Sequence, residues 1–176
     1  MKEKIVLITG ASSGIGYQTA KLLAENGYKV YGAARRTEQI SSLKALGVES
    51  IYLDITKEES ITKAVQQIID KEERIDILIN NAGYGSLGAV EDIAIMEARQ
   101  QFEVNLFGLA RLTQLILPHM RARGFGRIIN ISSMGGRFTT YFGAWYHATK
   151  YALEAFSDAV RMEVRDFGIE VSLIEP

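Results

Sequence analysis

Short apolar runs rich in β-branched residues alternate along this chain with longer amphipathic stretches. Ile5-Val6-Leu7-Ile8, Tyr28 to Ala33, Ser50 to Leu53, Ile75 to Ile79, Arg127 to Ile131 and Glu170 to Ile174 read as strands. Their near-continuous apolarity suits strands covered on both faces. The intervening periodicity predicts helices over 14–26, 38–46, 57–73, 97–122 and 146–167. Strands separated by helices imply right-handed β-α-β crossovers, hence a parallel sheet with helices on both sides, an α/β chain in three layers. No repeat, linker or low-complexity segment interrupts the pattern, so residues 1–176 are expected to form a single domain.

Composition narrows the function classes. Twenty basic and 21 acidic residues give a net charge of −1, which offers neither nucleic acid nor a membrane surface a bulk electrostatic reason to bind. The chain has no cysteine, so disulfides, thiolate metal sites and cysteine nucleophiles are ruled out together. Its two histidines, His119 and His147, are too few for a histidine-based zinc site, and no metal is expected. No apolar run approaches the roughly 20 residues of a membrane span, and Met1-Lys2-Glu3-Lys4 leads straight into a strand. A cytoplasmic protein is the expectation.

From Arg99 to Met120 the predicted fourth helix carries apolar residues on more than one face. Either it is deeply buried between the sheet and a neighbouring helix, or it packs on the sheet on one side and on a second subunit on the other. The second alternative implies a homodimer or homotetramer formed through the helices around 97–122 and 146–167. Pro118 should kink that helix or end its regular hydrogen bonding locally.

Two stretches point to a dinucleotide. Thr9-Gly10-Ala11-Ser12-Ser13-Gly14-Ile15-Gly16 follows the first strand and opens the first helix. Glycines there allow a tight turn and a close backbone approach to a diphosphate, and the helix N-terminus offers free N–H groups. The alternative is a mere strand-to-helix connector. At the end of the second strand, where an acid would accept the adenosine ribose hydroxyls of NAD(H), the chain reads Ala33-Ala34-Arg35-Arg36-Thr37. A guanidinium suits a 2′-phosphate, which favours NADP(H) over NAD(H); two solvated arginines are the alternative.

A third stretch suits proton transfer only in company with the rest of the chain; taken alone, its alternative is two surface residues on a helix. Tyr146 and Lys150 are four residues apart, on one face of a predicted helix, and Ser133 lies 13 residues upstream of Tyr146. An ammonium beside a phenol stabilises the phenolate. Bringing a tyrosine from about 10 to about 7 takes roughly 4 kcal/mol, at ~1.36 kcal/mol per unit.

Taken in order, Thr9 to Gly16, Asp54, Asn80-Asn81-Ala82-Gly83, Asn105, Ser133 and Tyr146 with Lys150 resemble the short-chain dehydrogenase/reductase superfamily, in the subgroup with the Thr-Gly-x-x-x-Gly-x-Gly motif. The resemblance covers essentially the whole chain and implies a Rossmann-type doubly wound parallel sheet. It also implies hydride transfer between NADP(H) and a small-molecule carbonyl or secondary alcohol. By the same resemblance Tyr146 is the general acid/base, and Lys150 lowers its pKa and binds the nicotinamide ribose. Ser133 hydrogen-bonds the substrate oxygen. Asn105 holds a water of a proton relay, or alternatively satisfies backbone groups where its helix is irregular.

The cofactor contacts implied are Gly10, Ser12, Ser13, Gly14, Ile15, Gly16, Arg35, Arg36, Asp54, Asn81, Ala82, Gly83, Tyr146 and Lys150. Asp54 and Asn81 have the alternative of capping local turns. Thr9 and Asn80 read mainly as structural ties. His147, Trp145 and Tyr141 flank the start of the catalytic helix on the expected substrate side, with a packed or solvent-facing position favoured for His147.

The chain also departs from the family. It stops at Glu175-Pro176, whereas family members continue into a nicotinamide-covering segment, a substrate lid and a seventh strand. The expectation is therefore a C-terminally truncated sheet of six of the family's seven strands, with the sixth an unpaired edge. The second functional reading follows from this: a catalytically silent dinucleotide-binding fragment or cofactor-sensing module. Extended sugar-nucleotide epimerases fit poorly, because their glycine spacing differs. The Tyr146 to Arg161 helix and the turn after Ser132 resemble hydroxysteroid- and retinol-type members more than ketoacyl-carrier-protein reductases.

Overall fold

The computed structural model describes residues 3–176; Met1 and Lys2, and with them part of the Met1-Lys2-Glu3-Lys4 lead-in, lie outside the described residues. Strands β1 (Ile5–Thr9), β2 (Lys29–Ala34), β3 (Glu49–Tyr52), β4 (Ile77–Asn80), β5 (Gly126–Ile131) and β6 (Ile169–Ile174) form one parallel sheet in the order β3-β2-β1-β4-β5-β6. The helices are α1 (Gly14–Glu25), α2 (Glu58–Glu72), α3 (Ile95–Phe102), α4 (Gly108–Arg123) and α5 (Ala144–Val164). This is the expected three-layer, Rossmann-like α/β fold.

Successive strand residues point to opposite faces, and β1 shows why both faces must be covered. Ile5 and Leu7 join one core with Ile61, Ala64, Val65 and Ile68 of α2, Leu112, Ile116 and Met120 of α4, and Val160 and Val164 of α5. Val6 and Ile8 join the other, with Ala20 of α1 and with Ile40, Leu43 and Val48. Each fully buried Leu or Ile contributes about 1.5–3 kcal/mol relative to leaving it exposed.

Two expected helices are corrected. The stretch 38–46 is not an α-helix but two 3-10 segments, Thr37–Gln39 and Ser41–Leu46. Ser41 and Ser42 donate their hydroxyls to the carbonyls of Glu38 and Gln39, three residues back, which competes with an α-helical turn. The stretch 97–122 is not one regular helix: a π-helical turn, Glu103–Phe107, separates α3 from α4. Pro118 does not end its helix; lacking an N–H, it only leaves out one bond of the ladder. It lies exposed within α4, which continues to Arg123 and stops at Gly124 in the left-handed region. Leu109, Leu112, Ile116 and Met120 are buried inside the molecule, whereas Ile95, Met96 and Phe107 are more than half exposed.

The strand order reverses between β1 and β4, so their C-terminal ends open a crevice, the usual ligand position in an open α/β sheet. Buried Asp76, just before β4, ties the opposite ends of these strands together. It accepts from the Ile5 N–H at 2.8 Å, Arg123 Nη1 at 2.8 Å and Arg74 Nε at 3.2 Å. Burial pushes its carboxyl up, but these donors outweigh burial and hold it below the usual carboxylate range.

Candidate functional site

The crevice is a cavity of about 930 Å³. Its floor begins with the turn after β1. Gly10 sits in the left-handed region at φ 68°, where a Cβ would meet the Ala82 Cα at 2.9 Å. Gly16, one turn into α1, lets the helix lie against the turn: a Cβ there would fall 2.4 Å from Asn81 Nδ2 and 2.5 Å from the Gly10 carbonyl oxygen. Gly10, Ser12, Ser13, Gly14 and Ile15 line the cavity, but Gly16 does not. It packs helix to loop.

Ser13 occupies the N-cap position of α1 in extended backbone, yet its side chain caps nothing, and the first turn holds no acid. The leading N–H groups of the helix and its positive end therefore face the cavity without a competing internal anion. That is the donor set a diphosphate needs, so the residues present fit a dinucleotide.

The far side comes from β4. Thr9 Oγ1 accepts from the N–H groups of both Asn81 and Ala82 at 3.0 Å, and Asn81 Nδ2 donates to the carbonyls of Thr9 (2.9 Å) and Gly10 (3.3 Å). Asn81, Ala82 and Gly83 line the cavity, but the Asn81 amide is spent on the glycine turn. Asn80 is buried and donates to Asn130 Oδ1 at 2.8 Å.

Arg35 and Arg36 stand exposed at the end of β2 on the cavity rim, and among the described residues neither makes an ion pair. Asp54 also lines the cavity. Its Oδ1 accepts from the N–H and hydroxyl of Thr56 at 3.1 and 2.8 Å, so one carboxylate oxygen caps the local turn.

Ser133, Tyr146 and Lys150 meet at the other end of the same cavity. Ser133 Oγ accepts from the Gly135 N–H at 3.1 Å, which leaves its hydrogen to donate to a ligand oxygen. Lys150 is buried; its Nζ donates to the Ile131 carbonyl at 2.9 Å and stands 5.9 Å from the centre of the Tyr146 ring. Burial pulls the Lys150 ammonium down to about 8, against the opposing pull of the Glu154 carboxylate. Gly85 lies against the Tyr146 ring, where a Cβ would approach Cδ2 to 3.1 Å.

Asn105 does not line the cavity but sits behind it, buried in the π turn. Its Oδ1 accepts from the Tyr84 N–H at 3.0 Å, and its Nδ2 donates to the Tyr84 carbonyl at 2.8 Å and to Thr149 Oγ1 at 3.0 Å. From its irregular helical turn the side chain satisfies the backbone of Tyr84 in the loop after β4, a structural role compatible with the expected relay.

His147, Trp145 and Tyr141 do not line this cavity. His147 is buried with both ring nitrogens engaged. The Thr140 N–H donates to Nε2 at 3.1 Å, so Nδ1 carries the proton and donates to the Gly135 carbonyl at 2.9 Å. Trp145 faces a separate apolar groove with Phe102 and Phe107, and Tyr141 is fully out in solvent at 93% exposure. Sequence reasoning passed over Tyr84, Gly85 and Leu87, which line the cavity directly after Gly83; the Gly83-Tyr84-Gly85 run was the available signal. It also passed over Glu154, whose only signal is its spacing of four from Lys150.

No helix among the described residues is long and apolar enough to cross a membrane, and they hold no cluster of three or more His, Asp or Glu side chains placed to bind a metal.

The family model for short chain dehydrogenase matches residues 4–176. A 3-ketodihydrosphingosine reductase of Bacteroides thetaiotaomicron is 43% identical over 177 residues, covering 100% of this chain and 64% of that protein. A probable short-chain type dehydrogenase/reductase, VdlC, of Helicobacter pylori is 41% identical over 172 residues, covering 98% of this chain and 64% of that protein. The chain thus spans about two thirds of the length of the curated relatives it matches, at 64%. A crystal structure of a short-chain dehydrogenase from Streptomyces avermitilis superposes with a TM-score of 0.97 at 42% identity, covering 100% of this chain and 66% of that one.

Proposed function

This chain belongs to the short-chain dehydrogenase family, and on that premise we propose that it is the catalytic and dinucleotide-binding part of an NADP(H)-dependent reductase or alcohol dehydrogenase. The observation that carries the proposal is one cavity bounded at one end by the uncapped start of α1 and at the other by Ser133, Tyr146 and Lys150. The dinucleotide, when bound, supplies or accepts the hydride.

The chain's own groups do the rest. The N–H groups at the start of α1, with Ser12 and Ser13, hold the diphosphate, and Arg35 with Arg36 takes the 2′-phosphate through charge-assisted bonds. Asp54 keeps its second oxygen for the adenine side. At the other end the Ser133 hydroxyl and the Tyr146 hydroxyl donate to the carbonyl oxygen of the substrate. Tyr146 gives up its proton to that oxygen in reduction and takes it back in oxidation. Lys150 holds the resulting phenolate by charge and offers a donor to the nicotinamide ribose. Asn105 fixes the backbone at Tyr84, beside Gly85 and the Tyr146 ring, and stands at the buried end of a proton path to Lys150.

The substrate is a small-molecule carbonyl or the matching secondary alcohol. The exposed Ile95, Met96 and Phe107, next to the groove holding Phe102 and Trp145, support a homo-oligomer built through α3, α4 and α5. The balanced net charge supports a protein that binds neither nucleic acid nor a membrane surface by bulk electrostatics, and a cytoplasmic location is part of the proposal. The second reading is a dinucleotide-binding fragment or sensor without turnover.

Titrating NADPH and NADH by cofactor fluorescence, followed by turnover on a panel of carbonyls, tests both readings. NADPH binding tighter than NADH, with turnover, is the expected outcome. Binding without turnover selects the second reading, and no dinucleotide binding overturns both.

A further inference from the structure

Glu154 is one helical turn beyond Lys150, as Lys150 is one turn beyond Tyr146, so the three share a face of α5. It is 5% exposed, a burial that carboxylates rarely reach unless paired. Arg137 Nη2 stands 2.9 Å from Oε2, but out of line for a hydrogen bond, and neither carboxylate oxygen receives one. Arg137 is shared: it also binds Glu175 Oε1, at 2.9 Å from Nη2 and 3.1 Å from Nε. The carboxylate lies against Gly136, where a Cβ would come within 2.9 Å of its Cγ and within 3.1 Å of both Oε1 and the equally unpartnered Ser132 Oγ.

The carboxylate is therefore ion-paired with Arg137 on one side and receives no hydrogen bond, and a buried pair of this kind adds little to stability over apolar packing. It also places a negative charge one helical turn from Lys150, which opposes the effect of burial on the ammonium. The charged and titratable groups around it are Lys150, Tyr146 and Asp158 on α5, Arg137 after β5 and Glu175 after β6. Lys150 itself has no carboxylate within 4 Å among the described residues; its one hydrogen bond to protein is the Ile131 carbonyl.

We infer that Glu154 is a positioning residue that keeps Lys150 protonated in its buried seat, and so keeps the Tyr146 phenolate stabilised. The inference rests on the proton-transfer reading of Tyr146 and Lys150, and it goes beyond that reading by adding a fourth charge. Without Glu154, burial acts on Lys150 unopposed, and a larger share of the lysine is neutral at physiological pH. With it, the ammonium persists without a direct ion pair that would tie Nζ away from the cavity.

The test needs no turnover. In 13C-lysine-labelled protein, the Lys150 13Cε resonance, assigned by its loss in Lys150→Arg, should titrate with a midpoint near 8. Glu154→Gln should lower that midpoint by about one pH unit, while Glu154→Asp, which keeps the charge, should stay near the wild type. A loosened fold works in the opposite direction, raising Lys150 toward 10.5, so structural damage cannot imitate the expected result.

An unchanged or raised midpoint in Glu154→Gln overturns the proposal, as does an equal fall in Glu154→Asp. Should Glu154→Gln not fold, the 13Cδ shift of Glu154 in the unaltered protein decides. A protonated carboxyl at pH 7 overturns the proposal, and a carboxylate supports it. Where carbonyl turnover is present, the alkaline limb of its pH profile in Glu154→Gln should move to lower pH by the same interval. Absence of turnover counts against the functional reading alone and leaves the lysine titration to decide this one.

Discussion

Asn105 and the backbone of Tyr84 hold each other by two reciprocal hydrogen bonds, Oδ1 accepting at 3.0 Å and Nδ2 donating at 2.8 Å. The pair locks the loop after β4 to the π turn between α3 and α4, and so sets the wall of the cavity beside Tyr146. Asn105→Ala removes both bonds and the one to Thr149. It should cost about 2 kcal/mol and lower the melting temperature by about 4–8 °C. Urea and thermal unfolding measure this; unchanged curves would remove Asn105 from the loop's support.

Gly16→Ala has two opposed effects. In an exposed helix interior the change is favourable by roughly 1 kcal/mol. Here the new Cβ would sit 2.4 Å from Asn81 Nδ2, so a net loss of about 1–3 kcal/mol is expected, with weakened dinucleotide binding. A variant as stable as the parent would mean that the loop yields without cost.

Arg35→Ala should weaken NADPH binding about tenfold to a hundredfold, the effect of a lost charge-assisted bond, and leave NADH binding unchanged. Equal losses for the two dinucleotides would point to a general electrostatic effect and away from a 2′-phosphate contact.

Tyr146→Phe keeps the ring against Gly85 and removes only the hydroxyl. Turnover should fall about 10²- to 10⁴-fold while the dinucleotide dissociation constant stays within about twofold. Steady-state kinetics with fluorescence titration separates the two quantities. Turnover that persists undiminished rules out the acid/base role.

Burial of Lys150 makes a pH prediction with a definite sign. Its folded value of about 8 lies below the ordinary 10.5, so between these values the unfolded chain binds the extra proton. Stability relative to Lys150→Met should therefore rise as pH goes from 8 to 10.5, by up to about 3 kcal/mol, and be level below that window. Chemical denaturation of both proteins across the range measures the difference. A falling difference would mean that Lys150 is held charged more firmly than burial penalises it.

Much of the fold was legible because its signals are local. β-Branched runs at the spacing of β-α-β units imply a parallel sheet, and a glycine turn after β1 can be read without knowing any neighbour. The misread helix at 38–46 failed for a local reason too: Ser41 and Ser42 have ordinary helical spacing, yet their hydroxyls bind carbonyls three residues back. Irregularity at Asn105 was among the expectations, but its partner was beyond reach, since the Asn105 side chain bonds the backbone of Tyr84, 21 residues away in sequence.

By itself, then, the sequence determined the class of the sheet, the place of the glycine turn, and which residues carry hydroxyl, ammonium and guanidinium groups toward the strand ends. Only the tertiary structure decided that Gly16 packs against the Gly10 carbonyl and the Asn81 amide, that this amide is spent on Thr9 and Gly10, and that Asn105 stands behind the cavity wall. It also decided that Glu154 is a buried charge one turn from Lys150. The physical reason is common to all four. Strand and helix patterns follow from interactions within a few residues. The partner of a polar side chain, and the dielectric around a charge, depend on segments that meet only when the sheet has formed.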